Sequence, residues 1–193
     1  SFLQQTHQDF EIVLIDDGST DGSADLCDQY AIQYPRVRVV HQENLGLPVA
    51  RNVGMSHATA DLLTFIDSDD WVNPTFLAVL QDMIVENSAD MAMCATTVED
   101  GAFRSESRNI ARPIRILGGR EVLQQTEVLY PIDTTSACGK LMRRTLWSGL
   151  SFPEGRLHED TYVVPRVIHR AQRVACTTQA LYHYRQRPGS ITW

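Results

Sequence analysis

Leu62-Leu63-Thr64-Phe65-Ile66 runs directly into Asp67-Ser68-Asp69-Asp70. The first five residues are apolar or β-branched and read as a buried strand. Three carboxylates then crowd the strand's exit. They repel one another unless something positive holds them, and a divalent metal is the usual partner. A second acidic exit lies upstream, where Ile12-Val13-Leu14-Ile15 is followed by Asp16-Asp17-Gly18-Ser19. In an α/β domain with parallel strands, two such exits fall on the same sheet edge, where ligands bind.

Around these exits strands and helices alternate. A strand is predicted over 11–15, then a helix over 23–34 capped by Asp21 or Ser23, with Cys27, Tyr30, Ala31 and Tyr34 as its inner stripe. A strand over 37–40 follows. The turn Asn44-Leu45-Gly46 then leads into a helix carrying Pro48, Val49, Ala50, Arg51 and Val53. After the acidic cluster, Asn73-Pro74 supplies an N-cap and a first-turn proline. Phe76, Leu77, Leu80, Met83 and Ile84 recur with helical period. A strand is predicted over 91–95.

Beyond Val98 the pattern breaks. Residues 99–115 are polar, arginine-bearing and aperiodic, and read as a hairpin or mobile loop. A short helix is predicted over 120–128, a loop over 131–139 and a helix from His158-Glu159-Asp160 to about 170. Apolar segments at 174–176 and 181–184 close the chain. The reading is one α/β domain: residues 1–98 form a nucleotide-binding half and residues 99–193 a substrate-side half. A length of 193 residues suits one such domain.

The formal net charge is −7, and no basic run carries interleaved aromatics, which argues against a nucleic-acid partner. An anionic ligand then needs a metal or selected arginines. Cys27, Cys94, Cys138 and Cys176 are widely spaced with no CxxC pair, so reduced thiols are expected. No apolar run reaches membrane-spanning length. Ser1-Phe2-Leu3-Gln4-Gln5-Thr6 reads as the last turns of a helix with no strand before it, so a fragment is expected.

Five segments together resemble the family-2 glycosyltransferases. Residues 11–23, with Asp16-Asp17-Gly18-Ser19, look like the family's first signature. His41-Gln42-Glu43-Asn44-Leu45-Gly46-Leu47 with Ala50-Arg51-Asn52-Val53-Gly54 is similar to the second. Phe65-Ile66-Asp67-Ser68-Asp69-Asp70-Trp71 matches the DxD signature. Phe152-Pro153-Glu154-Gly155 with His158-Glu159-Asp160 resembles the acceptor-side ED motif, and residues 182–192 resemble the closing segment. They occur in family order and span nearly the whole chain.

The resemblance implies a Rossmann-like A-type glycosyltransferase fold, a mixed, mostly parallel central sheet flanked by helices. It implies inverting transfer from a nucleotide-sugar donor, by family habit a UDP-sugar, to a saccharide or lipid-linked acceptor in surface polysaccharide synthesis. Mn²⁺ or Mg²⁺ would neutralise the departing diphosphate. Asp69 then ligates the metal, and Asp67 contacts the metal's water or the ribose. Ser68 lies with Asp67 on the nucleotide side. Asp17, or Asp16 in its place, accepts a hydrogen bond from the base, and Arg51 faces the nucleotide as a fixed cation. Asp160 matches the general base, and Glu159 orients it or binds acceptor. Arg185 and Arg187 in the closing segment contact diphosphate or acceptor, and Lys140 serves the acceptor side. The family's opening strand, central in its sheet, has no counterpart in this sequence. Work in the cytoplasm, at the inner face of a membrane, is the corresponding expectation.

The residues by themselves leave other readings open. Acidic residues after a strand are often turn formers or N-caps. Glu159 and Asp160 could simply favour a helix start. Arg51 could be a surface residue, and Arg185 and Arg187 could both face solvent from a strand. His41, His158 and His183 lack metal-ligand spacing. Two other functions compete: a transferase-like domain that binds without turnover, and a phospho-accepting receiver domain in which Lys140 would be the essential lysine.

Overall fold

The first acidic strand is longer than its pattern predicts. In the computed structural model, which describes residues 1–99 and 113–186, β1 spans Ile12–Asp17 and holds both aspartates within the strand. It pairs in parallel with β2 (Val37–Gln42), Ile12 opposite Val37 and Asp17 opposite Gln42. Between them runs α1 (Ser23–Gln33). Asp21 rather than Ser23 supplies the side chain at its start, accepting the Ser23 N–H at 3.1 Å. Cys27, Ala31 and Tyr34 are half-buried, while Tyr30 sits at the exposed rim, stacked on Tyr34.

α2 (Leu47–His57), with Pro48 in its first turn, packs on β1. Then come β3 (Leu62–Leu63), β4 (Trp71–Val72), α3 (Phe76–Glu86), β5 (Met91–Glu99) and β6 (Arg115–Leu117). The predicted helix over 120–128 is two short ones, α4 (Gly119–Gln124) and α5 (Thr126–Leu129). β7 (Lys140–Arg143), α6 (Asp160–Arg170) and β8 (Val174–Arg185) follow, with short 3-10 turns at Phe2–Gln4 and Arg144–Trp147. The two closing apolar segments are therefore one continuous strand. Residues 100–112, most of the predicted hairpin or loop, lie outside the described residues.

An α/β fold with a mixed sheet flanked by helices is present, as expected, but the expected parallel majority is not seen among the described pairings, because β3, β4, β6 and β7 each run antiparallel to their neighbours. The larger sheet has the order β3-β7-β5-β8-β4, with β6 also on β8. Strands from both halves of the chain interleave in it. Among the described strands, β1–β2 and β5–β8 pair in parallel and the other four pairings are antiparallel. The core lies against this sheet. Phe76, Leu80 and Met83 of α3, Met91 and Met93 of β5, and Val163, Val167 and Ile168 of α6 are all nearly inaccessible. α6 meets α4 at Gly119, where a Cβ would lie 1.8 Å from the Ile168 carbonyl oxygen, so no other residue fits there.

β1 and β3 do not pair, and the β1–β2 ribbon forms a sheet of its own. The run read as a buried strand, 62–66, is half-exposed apart from Phe65. The reason is a cleft of about 860 Å³ between the two sheets, lined by Val13, Ile15, Leu62, Thr64 and Ile66 among others. Since the Ile12 N–H points at Arg36 of the β2 side, alternation turns the polar groups of Val13 and Ile15 toward the cleft. The Thr64 hydroxyl is buried there without a hydrogen-bond partner.

Candidate active site

Both acidic exits open at one end of this cleft, where Asp17, Ser19, Arg51, Asp67 and Ser68 line it. The centre of the arrangement is Arg51, on α2. Its side chain is only 7% exposed, so the surface reading fails. Nη2 donates to Asp67 Oδ1 at 2.8 Å, and Nη1 donates to Glu159 Oε1 at 2.6 Å and to Asp160 Oδ1. The guanidinium lies 5.3 Å from the centre of the Phe152 ring. A planar fork suits this task, because it meets carboxylates from two directions at once. Burial works against its charge, but Asp67 and Asp160 outweigh burial and hold its pKa above the ordinary value.

The neighbouring Asn52 fixes the same junction. It donates to the Phe152 carbonyl at 2.9 Å and accepts the Phe152 N–H at 2.8 Å. Two consecutive residues of α2 thus hold the segment that leads into α6. Glu159 and Asp160 sit at the start of α6, as predicted, and the Ala137 N–H donates to Asp160 Oδ2 at 2.9 Å. Burial raises the Asp160 pKa, with Arg51 acting in the opposite direction. The net rise gives this carboxylate the basicity that its place at a helix start would otherwise withhold.

The acidic cluster after β3 is divided by its contacts. Asp70 faces β8: its Oδ2 accepts the Tyr182 hydroxyl and its Oδ1 accepts the Arg185 N–H at 2.8 Å. Burial raises the Asp70 pKa, partly offset by those two bonds. Tyr182 Oη also accepts the Asp67 N–H at 3.3 Å. Sequence reasoning missed Tyr182, Asn52 and Phe152 as parts of this site. Each lies inside a segment that carries the family resemblance, but nothing in residue type or spacing marks it as a contact of the acidic residues. Tyr182→Phe is expected to lower the unfolding free energy by about 1.5–3 kcal/mol in a urea titration, since it strips a partly buried carboxylate of a hydrogen bond. A loss under about 0.5 kcal/mol would mean that the bond does not form in solution.

Asp16 and Asp17 both hold turns. Asp17 Oδ1 accepts from Gln42 Nε2 (2.7 Å) and the Leu45 N–H (2.9 Å), and its Oδ2 from the Gly46 N–H (2.8 Å). Asp16 accepts the Ser19 N–H and contacts His41 Nδ1 at 2.8 Å, which lowers the Asp16 pKa. Gly18 between these loops has φ +73°, and a Cβ there would lie 2.7 Å from the Asn44 nitrogen. Asp17 lines the cleft and Asp16 does not.

Lys140 corrects the expectation made for it. It is 1% exposed and donates to three backbone carbonyls, so it cannot touch an acceptor. The same burial removes it from the role of a receiver domain's free lysine. Arg185 lies beside the acidic cluster, its guanidinium 5.1 Å from the centre of the Trp71 ring, and Trp71 stacks on His183. Arg187 lies outside the described residues. All four cysteines are free thiols, and burial pushes Cys94 and Cys138 up to about 12.

Residues 1–149 match the profile described as glycosyl transferase family 2. The chain belongs to that family. It is 33% identical to glycosyltransferase GlyA of Streptococcus pneumoniae over 201 residues, covering 100% of this chain and 28% of GlyA. It is 32% identical to glycosyltransferase GlyG of the same organism, covering 98% of this chain and 65% of GlyG. Minor teichoic acid biosynthesis protein GgaB of Bacillus subtilis is 23% identical over 97% of the chain and 21% of GgaB. The chain thus spans between about a fifth and two thirds of these relatives. Among solved structures, S. aureus TarS 1–349 in complex with UDP-GlcNAc superposes with a TM-score of 0.82 at 24% identity, over 98% of this chain and 54% of that one. At that identity the likeness is one of fold.

Among the described residues, no group of three or more His, Cys, Asp or Glu side chains is arranged to hold a metal by itself. Asp67 is engaged by Arg51 and Asp70 by Tyr182. The carboxylates of this exit, Asp67 and Asp69, are hard oxygen donors. That donor set fits a hard divalent ion that brings phosphate oxygens as its other ligands. Among the described residues, no helix is long and apolar enough to cross a membrane.

Proposed function

We propose that this chain carries the catalytic centre of an inverting glycosyltransferase that moves a sugar from a UDP-sugar to a saccharide or lipid-linked acceptor in surface polysaccharide synthesis. The observation that carries this reading is the Arg51 junction. One buried guanidinium ties Asp67, at the donor-side acidic exit, to Glu159 and Asp160, at the start of α6. Attack needs donor and acceptor groups held at contact distance, and a rigid ion cluster spanning both motifs provides that. The names of GgaB and of the TarS complex agree with the substrate class.

In this reading Asp17, which lines the cleft, accepts from the base, and Ser68 and Asp67 meet the ribose and diphosphate. Asp69, with Asp67, would hold Mn²⁺ or Mg²⁺, and that ion would supply Lewis-acid neutralisation of the leaving diphosphate. Asp160 takes the acceptor hydroxyl's proton as that oxygen bonds to the anomeric carbon and the bond from that carbon to the diphosphate breaks. Arg51 and the Ala137 N–H hold the Asp160 carboxylate in place, and Glu159 balances the Arg51 charge. Arg185, beside Asp70, is placed to meet diphosphate or acceptor. The donor half is 1–98 and the acceptor half 99–193. The reaction belongs at the inner face of the membrane, in the cytoplasm, where UDP-sugars meet a lipid-linked acceptor.

Binding without turnover is the second reading. It is favoured by the separation of β1, which carries Asp17, from the sheet that leads into Asp67. Titrating UDP calorimetrically, with Mn²⁺ and then with excess chelator, tests the donor site. Binding is expected only with the metal, Mn²⁺ alone should bind weakly because the protein offers so few ligands, and Asp69→Asn should abolish the metal-dependent heat. UDP binding that ignores both chelator and Asp69→Asn would overturn the metal assignment. Metal-dependent binding without transfer to any acceptor would favour the second reading.

A further inference from the structure

Lys140 is the one lysine of the chain, and the site described above leaves it without a task. It opens β7 and is among the least accessible side chains in the molecule, 1% exposed. Its Nζ donates to the carbonyl oxygens of Asp133 (2.7 Å), Ser136 (2.5 Å) and Cys138 (3.1 Å). Three N–H donors meet three acceptors, which is the full capacity of an ammonium. Among the described residues, no carboxylate oxygen lies within salt-bridge distance of it. Burial holds the Lys140 pKa down, with Asp133 and Asp160 acting in the opposite direction, and an apolar residue would fill a strand-opening core position at less cost. The charge therefore calls for a purpose other than packing.

The peptide unit between Ser136 and Ala137 supplies one. Its carbonyl accepts from Lys140, and its N–H donates to Asp160 Oδ2 at 2.9 Å. In a trans peptide the C=O and N–H point in opposite directions, so this one planar unit is gripped between an ammonium and a carboxylate. Its dipole has the sense that both charges favour, and each bond polarises the other. Asp133 steadies the same loop from the outside: its Oδ1 accepts the Thr135 N–H, the Thr135 hydroxyl and the Ser136 N–H.

We infer that Lys140 is a positioning residue for Asp160, acting through the Ser136–Ala137 peptide to fix where the second carboxylate oxygen lies. Arg51 fixes the first oxygen, so the two cations, one direct and one relayed, set the carboxylate's orientation. The catalytic importance of this device rests on the reading of Asp160 as base; the coupling between the groups does not.

The test uses the full chain labelled with ¹⁵N. Asp160→Asn should move the Ala137 amide proton upfield, because a charged acceptor is lost. In a Lys140→Met background that response should disappear, and Ala137 amide exchange should quicken roughly tenfold or more. Transfer by Lys140→Met should show kcat lower by about tenfold or more with the donor KM unchanged, a split that general loosening of the fold would not give. An Ala137 response to Asp160→Asn that is the same with and without Lys140 overturns the inference. If Lys140→Met does not fold, Lys140→Gln, which keeps a hydrogen-bond donor and drops the charge, takes its place. An Ala137 response to Asp160→Asn that shrinks in that background supports the inference, and an equal response overturns it. Undiminished transfer by Asp160→Asn with the amide response intact would overturn the base assignment alone, so the two failures are separable.

Discussion

Arg51→Met is expected to lower the unfolding free energy by about 3–5 kcal/mol and to abolish transfer, because removing one partner of a buried ion cluster leaves the others uncompensated. Three carboxylates, Asp67, Glu159 and Asp160, lose their shared cation in this variant. Urea unfolding of the wild-type and variant chains measures the effect. The loss should shrink as the pH falls. Burial already raises the Asp160 pKa and Arg51 lowers it, so without Arg51 the folded-state value rises further. A carboxyl whose folded pKa exceeds its unfolded one destabilises the fold as pH climbs through that interval, and acidification reverses the penalty. Equal midpoints for variant and wild type at pH 7 would mean that the cluster is solvated and carries no structural weight. Arg51→Lys should restore little of either property, since a point charge cannot span three carboxylates from two sides.

Asp160→Asn has the largest expected effect on chemistry alone. Transfer should fall by about 10²–10⁴-fold, the usual contribution of a positioned general base. Calorimetry should find UDP binding with metal unchanged, since in this reading Asp160 meets the acceptor hydroxyl and not the base, ribose or metal. The fold should survive, because Arg51 keeps Asp67 and Glu159 as partners. The wild-type rate should decline on acidification, with a midpoint above the ordinary aspartate range, as the raised pKa requires the base to be protonated first at a higher pH. Residual transfer by the variant should lack that limb. Wild-type rates in Asp160→Asn would remove Asp160 from the mechanism.

The parts of the site visible in the sequence are those that report themselves by type and spacing. Asp67 follows an apolar run, Asp17 follows another, and Glu159-Asp160 opens a helix that the structure confirms at Asp160–Arg170. The apolar stripe of α3 was equally plain, and Phe76, Leu77, Leu80, Met83 and Ile84 are all buried. The partners of these residues were not visible. Asp70 meets Tyr182 across 112 positions, and Arg51 meets Asp160 across 109. Lys140 was misread for the same reason: in sequence it is one cation after a loop, and only the folding of that loop back over its ammonium reveals a buried clamp.

By itself the sequence determined the class of fold, the order of its main elements and which carboxylates stand at strand and helix ends. Local periodicity and turn chemistry depend on neighbours within a few residues, and a linear pattern records them. The tertiary structure alone decided that β1 and β3 face each other across a cleft rather than pairing, and that Arg51 is shared by Asp67 and Asp160. Both depend on contacts between segments far apart in the chain. Their energies are set by burial and by distances of a few ångströms, which no spacing along a sequence encodes.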